Sequence, residues 1–156
     1  MRFEVETESP DATLHFGRAL GGLLEGGDVI GLAGELGAGK TQLVRGLATA
    51  LDIAPHVIYS PSFTLIAEHD GRLRLNHIDL FRLGDSVSPA DEAEIGLSDY
   101  LAPTGVTTVE WYRKLGDRVW TLEIEIEIRD GDRRTIRLEA ESERGRKILE
   151  ALRKSG

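Results

Sequence analysis

One short segment restricts the possible folds of this chain more than any other feature. Its sequence fits the pattern G-x-x-x-x-G-K-[ST] of a phosphate-binding loop. The residues are Gly34, Glu35, Leu36, Gly37, Ala38, Gly39, Lys40 and Thr41. An apolar run at 29–33 precedes the loop, and a helix-like segment at 42–51 follows it. A strand, a loop and a helix in this order are typical of an α/β core with parallel strands. The alternative, a glycine-rich turn with an incidental Lys-Thr pair, does not account for these flanks.

The spacing of the loop follows from the chemistry of phosphate binding. Glycines let the backbone curl so that several N–H groups point toward one anion. The helix that follows adds the positive end of its dipole. At the end of the loop, Lys40 reaches the β- and γ-phosphates, and the Thr41 hydroxyl is a ligand for Mg²⁺. The sequence therefore predicts that residues 34–41 bind a nucleoside triphosphate together with Mg²⁺.

The size and composition of the chain limit its other properties. Its 156 residues predict one domain, 1–156, and 40% hydrophobic with 29% charged residues is ordinary for a globular protein. The net charge of −8 and the scattered basic residues disfavour direct binding to nucleic acid. No apolar run has membrane-spanning length, and the lack of cysteine excludes disulfides and thiolate chemistry. Because the N-terminus also lacks the layout of a signal peptide, we expect a cytoplasmic protein that does not bind membranes.

Hydrophobic periodicity and turn residues extend the prediction to the whole chain. Ser9 and Pro10 are typical of the start of a helix, which the glycines at 26–27 would end. The clearest strand is 122–129, where apolar and charged residues alternate before a turn at 130–131. Strands are predicted at 2–6, 29–33, 57–59, 63–68, 73–79, 106–109, 122–129 and 135–139, and helices after 9 and at 42–51, 88–96, 98–101 and 142–154. The expected fold is that of a P-loop NTPase: a mixed, mainly parallel sheet with helices on both faces and an antiparallel C-terminal hairpin.

Hydrolysis of a bound triphosphate needs acidic groups as well as the loop, for a second Mg²⁺ contact and for positioning the attacking water. Two acids stand at the ends of predicted strands, Asp79 after 73–78 and Glu110 after 106–109. The strand before Asp79 is not strongly apolar, so spacing alone supports a surface carboxylate equally well. Glu110 follows a more buried-looking strand and precedes a tryptophan, a residue seldom placed in an open loop, and this slightly favours a place in the site.

Two other groups of polar residues have simpler interpretations. The segment Ser60-Pro61-Ser62-Phe63-Thr64 carries three hydroxyls beside a proline. Such a segment is able to sense a γ-phosphate, as switch loops do, but composition alone favours a turn capped by serine. The histidines lack metal-ligand spacing, and we expect surface or packing roles for them. They are His15, His56, His69 and His77.

Taken in order, these motifs resemble those of one family, the small bacterial ATPases called TsaE or YjeE, of tRNA threonylcarbamoyladenosine biosynthesis. Residues 34–41 resemble its phosphate loop, and residues 60–66 resemble its Ser-Pro-Thr-Phe-Thr segment. Residues 77–83, HIDLFRL, are similar to its HFDLYRL segment, and residues 109–111 are similar to its Val-Glu-Trp. The glycine-centred stretch 94–100 is similar as well. The order and number of the motifs make this resemblance far more specific than the loop alone.

The resemblance, over residues 9–116, implies a function and a set of roles. The family hydrolyses ATP slowly with Mg²⁺, coupled to the proteins TsaD and TsaB, which place a threonylcarbamoyl group on an adenosine beside the tRNA anticodon. By analogy, Lys40 and Thr41 hold phosphate and Mg²⁺. Asp79 and Glu110 are the acids of the Mg²⁺ and water site, and with Lys40 they are the expected catalytic residues. The tRNA is reached through the complex, which agrees with the acidic charge of the chain.

The chain also departs from the family pattern. Ser62 stands where Thr is more common, which keeps the hydroxyl. Residues 112–113, Tyr-Arg, replace the usual Pro-Glu, which leaves the path of that loop open. Residues 117–156 match no motif. The base-recognition residues stay open as well, with the segment before the first helix and the final hairpin turn as candidates, and so do the oligomeric state and any docking surface.

Two other functions are compatible with a phosphate loop in a chain of this size. A small-molecule kinase needs an acceptor pocket and an arginine-rich lid over the phosphates. The arginines near the motifs are too widely spread to identify a lid; they are Arg72, Arg74, Arg82 and Arg113. A nucleotide-sensing module would bind ATP without turning it over.

Overall fold

A computed structural model describes residues 1–62, 64–101 and 104–155, which form one mixed sheet with helices on both faces. The strands are β1 (Arg2–Thr7), β2 (Val29–Ala33), β3 (Ile66–His69), β4 (Leu75–Asp79), β5 (Val106–Glu110), β6 (Leu122–Ile128) and β7 (Arg134–Glu139). The helices are α1 (Pro10–Gly21), α2 (Lys40–Ala50), α3 (Pro89–Ile95), α4 (Leu97–Tyr100) and α5 (Glu143–Ser155). Within these described residues, the strands lie across the sheet in the order β1-β7-β6-β2-β5-β4-β3.

The centre of the sheet is parallel, and its flanks are antiparallel. β2 pairs in parallel with β5 and β6, and β4 pairs in parallel with β5. β7 joins β6 and β1 in antiparallel pairs, and β3 joins β4 in another. The first and the last strand of the described chain are therefore neighbours, with Arg2 opposite Glu139 across 137 positions of sequence. The predicted mixed α/β sheet and its antiparallel C-terminal hairpin are confirmed.

Alternating side chains of the central strands supply two hydrophobic cores, one on each face of the sheet. The larger core packs Ile30 of β2 against α1, α2 and α5, with Leu47 and Leu149 among the helix residues. The smaller core packs Val109 of β5 against the short helices that precede β5, with Leu97 among the buried residues. Strands buried on both faces are a property of parallel sheets covered by helices.

The first two helices touch through their backbones. A Cβ atom on Gly17 of α1 would lie 2.4 Å from the Leu43 carbonyl oxygen, and one on Gly46 of α2 would lie 2.1 Å from the Leu14 carbonyl oxygen. Only glycine permits this approach. As a result, α2, which begins at the end of the phosphate loop, is held at a fixed position against α1.

The predicted end of the first helix is wrong. α1 ends at Gly21 and not at 26–27. The N–H groups of Leu23 and Leu24 bond to carbonyls only three residues back, so the chain tightens out of the α-helix. Leu24 is then buried and leads the chain into β2.

Two predicted strands near the hydroxyl-rich segment also differ from the structure. Residues 57–59 are not a strand, because Pro55–Val57 forms a 3₁₀ turn and the Ile58 carbonyl accepts a bond from Arg45. The strand expected from 63 begins only at Ile66, since Leu65 adopts φ 68° and donates its N–H to the Pro61 carbonyl. Phe63, the first residue of the strand predicted at 63–68, lies outside the described residues.

The helices of the described ranges are short. The longest, α5, has 13 residues and carries charged residues along much of its length. None of them combines the length and the apolar character needed to cross a membrane.

Candidate functional site

Three parallel strands end together at one edge of the sheet, and the predicted site residues follow from this register. Leu32 of β2 lies opposite Glu110 of β5, which in turn lies opposite Asp79 of β4. The phosphate loop leaves β2 at the same edge, two residues beyond Leu32. Neighbouring parallel strands lie roughly 4.8 Å apart, so the two acids and the loop are brought into one small region.

The loop itself has the backbone conformation that its glycines permit. Gly37 has φ 82° and Gly39 has φ 110°, values that residues with a side chain rarely adopt. Gly39 is the N-cap of α2, so the N–H groups of the first helical turn face the loop. Lys40 and Thr41 begin the helix there, with Lys40 buried and Thr41 half-buried. A curled backbone beside a helix N-terminus is an anion-binding concavity.

Lys40 is the cation of the site. Its side chain is 5% exposed, and Nζ donates to the Gly34 carbonyl at 2.6 Å. Nζ also lies 4.5 Å from the centre of the Trp111 ring, a cation–π contact. Burial lowers the pKa of Lys40 from its ordinary value, while Glu110 and Asp79 act in the opposite direction. The predicted cation and the two predicted acids therefore interact electrostatically in one site.

Asp79 is buried, although sequence spacing alone left its position open. It is 2% exposed, and its strand β4 is buried at every position. Oδ2 accepts hydrogen bonds from Ser60 Oγ at 2.5 Å and Ser62 Oγ at 3.1 Å. Oδ1 accepts from the Phe81 N–H at 2.9 Å. The hydroxyl-rich segment thus contacts an acid of the site, whereas composition alone favoured a simple capped turn.

Glu110 has a buried partner. The Glu110 side chain is 3% exposed, and its Oε2 lies 2.5 Å from Nε2 of His77, which is fully buried. The contact is a short hydrogen bond between a carboxylate oxygen and an imidazole nitrogen, which holds the two side chains together. His77 stands two positions before Asp79 in β4, so both side chains point to the same face of the sheet. The alternation of the strand was the signal that connects His77 to the site.

The turn after Glu110 follows a defined path despite its departure from the family pattern. Trp111 adopts φ 63°, and Tyr112–Leu115 forms a 3₁₀ turn. The Tyr112 ring is buried, and its hydroxyl donates to Glu123 at 3.0 Å. Lys114 Nζ donates to three carbonyls of the segment that follows Asp79, those of Leu80, Phe81 and Leu83, at 2.9, 3.1 and 2.7 Å. Lys114 therefore joins the loop after Glu110 to the loop after Asp79. No sequence motif indicated this role of Lys114.

A cleft adjoins the loop on the side of α1. Its volume is about 140 Å³, and it is lined by Pro10, Thr13, Gly37, Ala38, Gly39, Gln42, Asp132 and Arg134. It brings together the start of α1 and Asp132 of the final hairpin turn. The hairpin turn is one of the two candidates for base recognition, and the other, the segment before the first helix, directly precedes Pro10. Arg134 contacts the loop directly, because its Nε donates to the Ala38 carbonyl at 2.8 Å. No motif in the sequence marks Arg134.

This geometry agrees with comparison to known proteins. A family model described as threonylcarbamoyl adenosine biosynthesis protein TsaE matches residues 7–138. The chain belongs to the TsaE family. Among its relatives, the tRNA threonylcarbamoyladenosine biosynthesis protein TsaE of Treponema pallidum is 38% identical over 81% of this chain and 93% of the relative. That of Bacillus subtilis is 34% identical over 94% of this chain and 90% of the relative.

The likeness extends to three dimensions. The crystal structure of Bacillus subtilis YdiB matches with a TM-score of 0.79 at 30% identity, covering 99% of this chain and 96% of that chain. The predicted P-loop NTPase-like fold is thereby confirmed. The TsaE match reaches residue 138, so it includes the β6–β7 hairpin, for which the sequence offered no motif. The predicted resemblance to the TsaE family is confirmed, and with it a role in tRNA threonylcarbamoyladenosine biosynthesis.

Proposed function

We propose that this chain is an ATP-binding protein with weak ATPase activity, which supports the TsaD–TsaB complex in threonylcarbamoylation of an adenosine next to the tRNA anticodon. One observation carries the ATPase assignment: Asp79 and Glu110 lie directly opposite each other in the β4–β5 register, at the edge where the phosphate loop begins. In this proposal the protein works in the cytoplasm and reaches tRNA through the complex.

The residues fit the roles given to them. The curled backbone of residues 34–39 and the N-terminus of α2 receive the phosphates, and Lys40 moves from the Gly34 carbonyl to a phosphate oxygen. With Thr41, Asp79 and Glu110 it forms a set of a cation, a hydroxyl and two carboxylates around the expected γ-phosphate. Glu110, with one oxygen fixed by His77, is suited to orient the attacking water.

The donor set also suits Mg²⁺. No cluster of three or more His, Asp or Glu side chains in the described ranges is arranged to hold a metal. Mg²⁺ ordinarily uses one or two carboxylates, substrate phosphates and its own waters, so the Thr41 hydroxyl with Asp79 and Glu110 is sufficient. Three donors already bond to Asp79, which leaves Oδ1 with room for one further contact. Bound Mg²⁺ supplies positive charge to the β- and γ-phosphate oxygens.

The kinase alternative receives no support from the hydrogen bonds and ion pairs of Arg72, Arg74 and Arg113. The described contacts of Arg72, Arg74 and Arg113 go to the Ala50 carbonyl, to Glu68 and Asp70, and to Glu125, in that order. None of these partners belongs to the phosphate loop or to the acid pair. We therefore keep the kinase function only as an outcome that the experiment is able to reveal.

The test is ATP hydrolysis by the purified chain, with and without the cognate TsaD and TsaB proteins, alongside nucleotide binding. We expect a slow basal rate, a higher rate with the partners, and loss of the rate in Lys40→Ala and Glu110→Ala. Glu150→Ala, which removes an exposed carboxylate on α5, is the matched control and keeps the wild-type rate. A rate that ignores the partners removes the proposed link to TsaD and TsaB, and phosphate transfer to a metabolite supports a kinase instead. Tight binding with no turnover in any protein supports a sensing module.

A further inference from the structure

The C-terminal hairpin carries an arginine that bonds to backbone carbonyls of the phosphate loop. Arg134, the first residue of β7, donates from Nε to the Ala38 carbonyl at 2.8 Å and from Nη2 to the Gly37 carbonyl at 3.4 Å. Its Nη1 donates to the Gly131 and Arg133 carbonyls, at 2.8 and 2.9 Å. One guanidinium therefore connects the hairpin turn to the loop across 96 positions of sequence.

These bonds fix the orientation of two peptide planes in the loop. In a trans peptide the C=O and the N–H of the next residue point in opposite directions. Since Arg134 holds the Ala38 carbonyl on its own side, the Gly39 N–H points away from Arg134, at the start of α2. The bond to the Gly37 carbonyl orients the Ala38 N–H in the same way, and this N–H closes the loop by donating to the Glu35 carbonyl at 3.0 Å.

Arginine suits this task better than another donor. Its planar guanidinium presents several N–H groups in a rigid fork, so one side chain bonds to successive carbonyls at once. Gly37 and Gly39 permit many backbone conformations, and their freedom has to be restricted before the loop presents its N–H groups to an anion. A group that makes this restriction in advance lowers the ordering cost of binding.

We propose that Arg134 is a positioning residue of the phosphate site, which holds the loop in its anion-binding conformation through the Gly37 and Ala38 carbonyls. This inference rests on the proposed nucleotide binding by residues 34–41. The loop N–H groups serve the α- and β-phosphates, which ADP and ATP share. Arg134 therefore contributes equally to the affinity for both nucleotides, unlike a side chain that contacts the γ-phosphate.

The chain offers a matched control in the same turn. Arg133 is half-exposed, and its guanidinium contacts Asp130 at 3.2 Å and Glu6 at 3.7 Å, away from the loop. Arg133→Gln removes the same charge from the same hairpin without touching the loop carbonyls. Arg134→Gln removes the charge and the fork, whereas Arg134→Lys keeps a cationic donor that reaches the carbonyls less completely.

The experiment measures ADP and ATP affinity by titration calorimetry for the wild type and these three variants, with the thermal midpoint of each protein. We expect Arg134→Gln to weaken both nucleotides by the same factor, on the order of tenfold, as for the loss of one charge-assisted hydrogen bond. Arg134→Lys recovers part of this loss, and Arg133→Gln stays within about twofold of the wild type, since rim charges change affinity little. Wild-type affinity in Arg134→Gln, or a loss confined to ATP, overturns the inference.

A second measurement separates this inference from the proposed function. Amide hydrogen exchange of Ala38, whose N–H bonds to the Glu35 carbonyl, reports the loop conformation directly in the nucleotide-free protein. We expect faster exchange in Arg134→Gln, and unchanged exchange in Arg133→Gln. Unchanged exchange in Arg134→Gln overturns the positioning role, whereas a wild-type protein that binds neither nucleotide contradicts only the proposed function and leaves the positioning role to be decided by the exchange data.

Discussion

Two strand pairs of the sheet carry many polar residues, but they use them in opposite ways. In β4 and β5 the polar side chains are buried and some of them bond to one another, as His77 does to Glu110, while the Thr108 hydroxyl has no partner among the described residues. In β6 and β7 most of the charged side chains are only partly buried and pair with neighbouring strands, as Arg137 does with Glu127. Buried polar groups are costly unless they are fully bonded, whereas exposed pairs contribute little in either direction. The difference indicates that the polar residues of β4 and β5 serve the candidate site, whereas the charged residues of β6 and β7 serve solubility and strand pairing.

The largest expected effect comes from breaking the buried pair. His77→Ala should lower the free energy of unfolding by about 2–4 kcal/mol, since it leaves a cavity and a buried Glu110 without this partner. Urea unfolding measures the loss. Thr108→Val is the control, because Thr108 lies opposite His77, and its hydroxyl has no hydrogen-bond partner among the described residues. Equal losses in the two variants would contradict the importance of the pair.

The second prediction concerns Tyr112, whose ring lies in the smaller hydrophobic core and whose hydroxyl donates to Glu123 of β6. Burial raises the pKa of Tyr112 to about 12, with a smaller contribution from Glu123 and an opposing one from Arg113. An unfolded tyrosine ionises near pH 10, so the folded state holds its proton more tightly. The stabilisation is complete below about pH 10 and is lost as the pH rises toward about 12, by no more than about 3 kcal/mol.

Unfolding by urea at several pH values between 9 and 12, for the wild type and for Tyr112→Phe, measures this effect. The wild type should lose stability relative to Tyr112→Phe as the pH rises. An absorbance titration gives a second readout, since the highest of the tyrosine ionisations should disappear in Tyr112→Phe. Parallel stability curves would show that burial does not affect this phenol.

The third prediction tests how tightly β2 packs against the Tyr112 ring. A Cβ atom on Gly31 of β2 would lie 2.5 Å from Cγ of Tyr112. Gly31→Ala should therefore displace the ring and lower the free energy of unfolding by about 1–3 kcal/mol. Gly84→Ala is the control, because a Cβ there meets nothing closer than the Ser86 carbonyl oxygen at 4.0 Å. Thermal or urea unfolding measures the loss. An unchanged free energy of unfolding in Gly31→Ala would contradict the close contact with the Tyr112 ring.

The smallest effect is expected on the exposed face. Arg137 contacts Glu4, Glu125 and Glu127, all of them roughly half-exposed. Arg137→Met keeps the aliphatic stem and should lower the urea midpoint of unfolding far less than His77→Ala does. The loss should shrink further in 1 M NaCl, where the screening length is only about 3 Å. A loss as large as that of His77→Ala would remove the distinction between the two strand pairs.

The parts that sequence predicts well are those with local signals. The phosphate loop is recognisable because its residues are contiguous, and Glu110 is a candidate because it ends a buried-looking strand. Spacing alone left Asp79 open, and the family resemblance made it a candidate. The alternation in β6 shows its buried face directly. The roles assigned to these residues stay predictions until nucleotide binding and hydrolysis are measured.

The parts that sequence does not predict depend on contacts between distant segments. Nothing local marks Lys114 as the partner of three carbonyls after β4, or Arg134 as the partner of the phosphate loop. The bond between His77 and Glu110 becomes visible only when β4 and β5 pair in register. The incorrect strand at 57–59 has a similar cause, since β-branched and aromatic residues there support a turn against α2 instead of a ladder.

The pairing of β1 with β7 has a consequence for how the chain is made. β1 is synthesised before the other described strands, yet its hydrogen-bonding partner is the last strand of the described sheet. During synthesis β1 therefore has no strand to join, and its backbone groups stay open to other chains or to chaperones. Closing the sheet requires a contact of long sequence separation, which slows folding. The pairing of β1 with β7 therefore completes the sheet late in folding, whereas the parallel strands at the centre are able to pair before it.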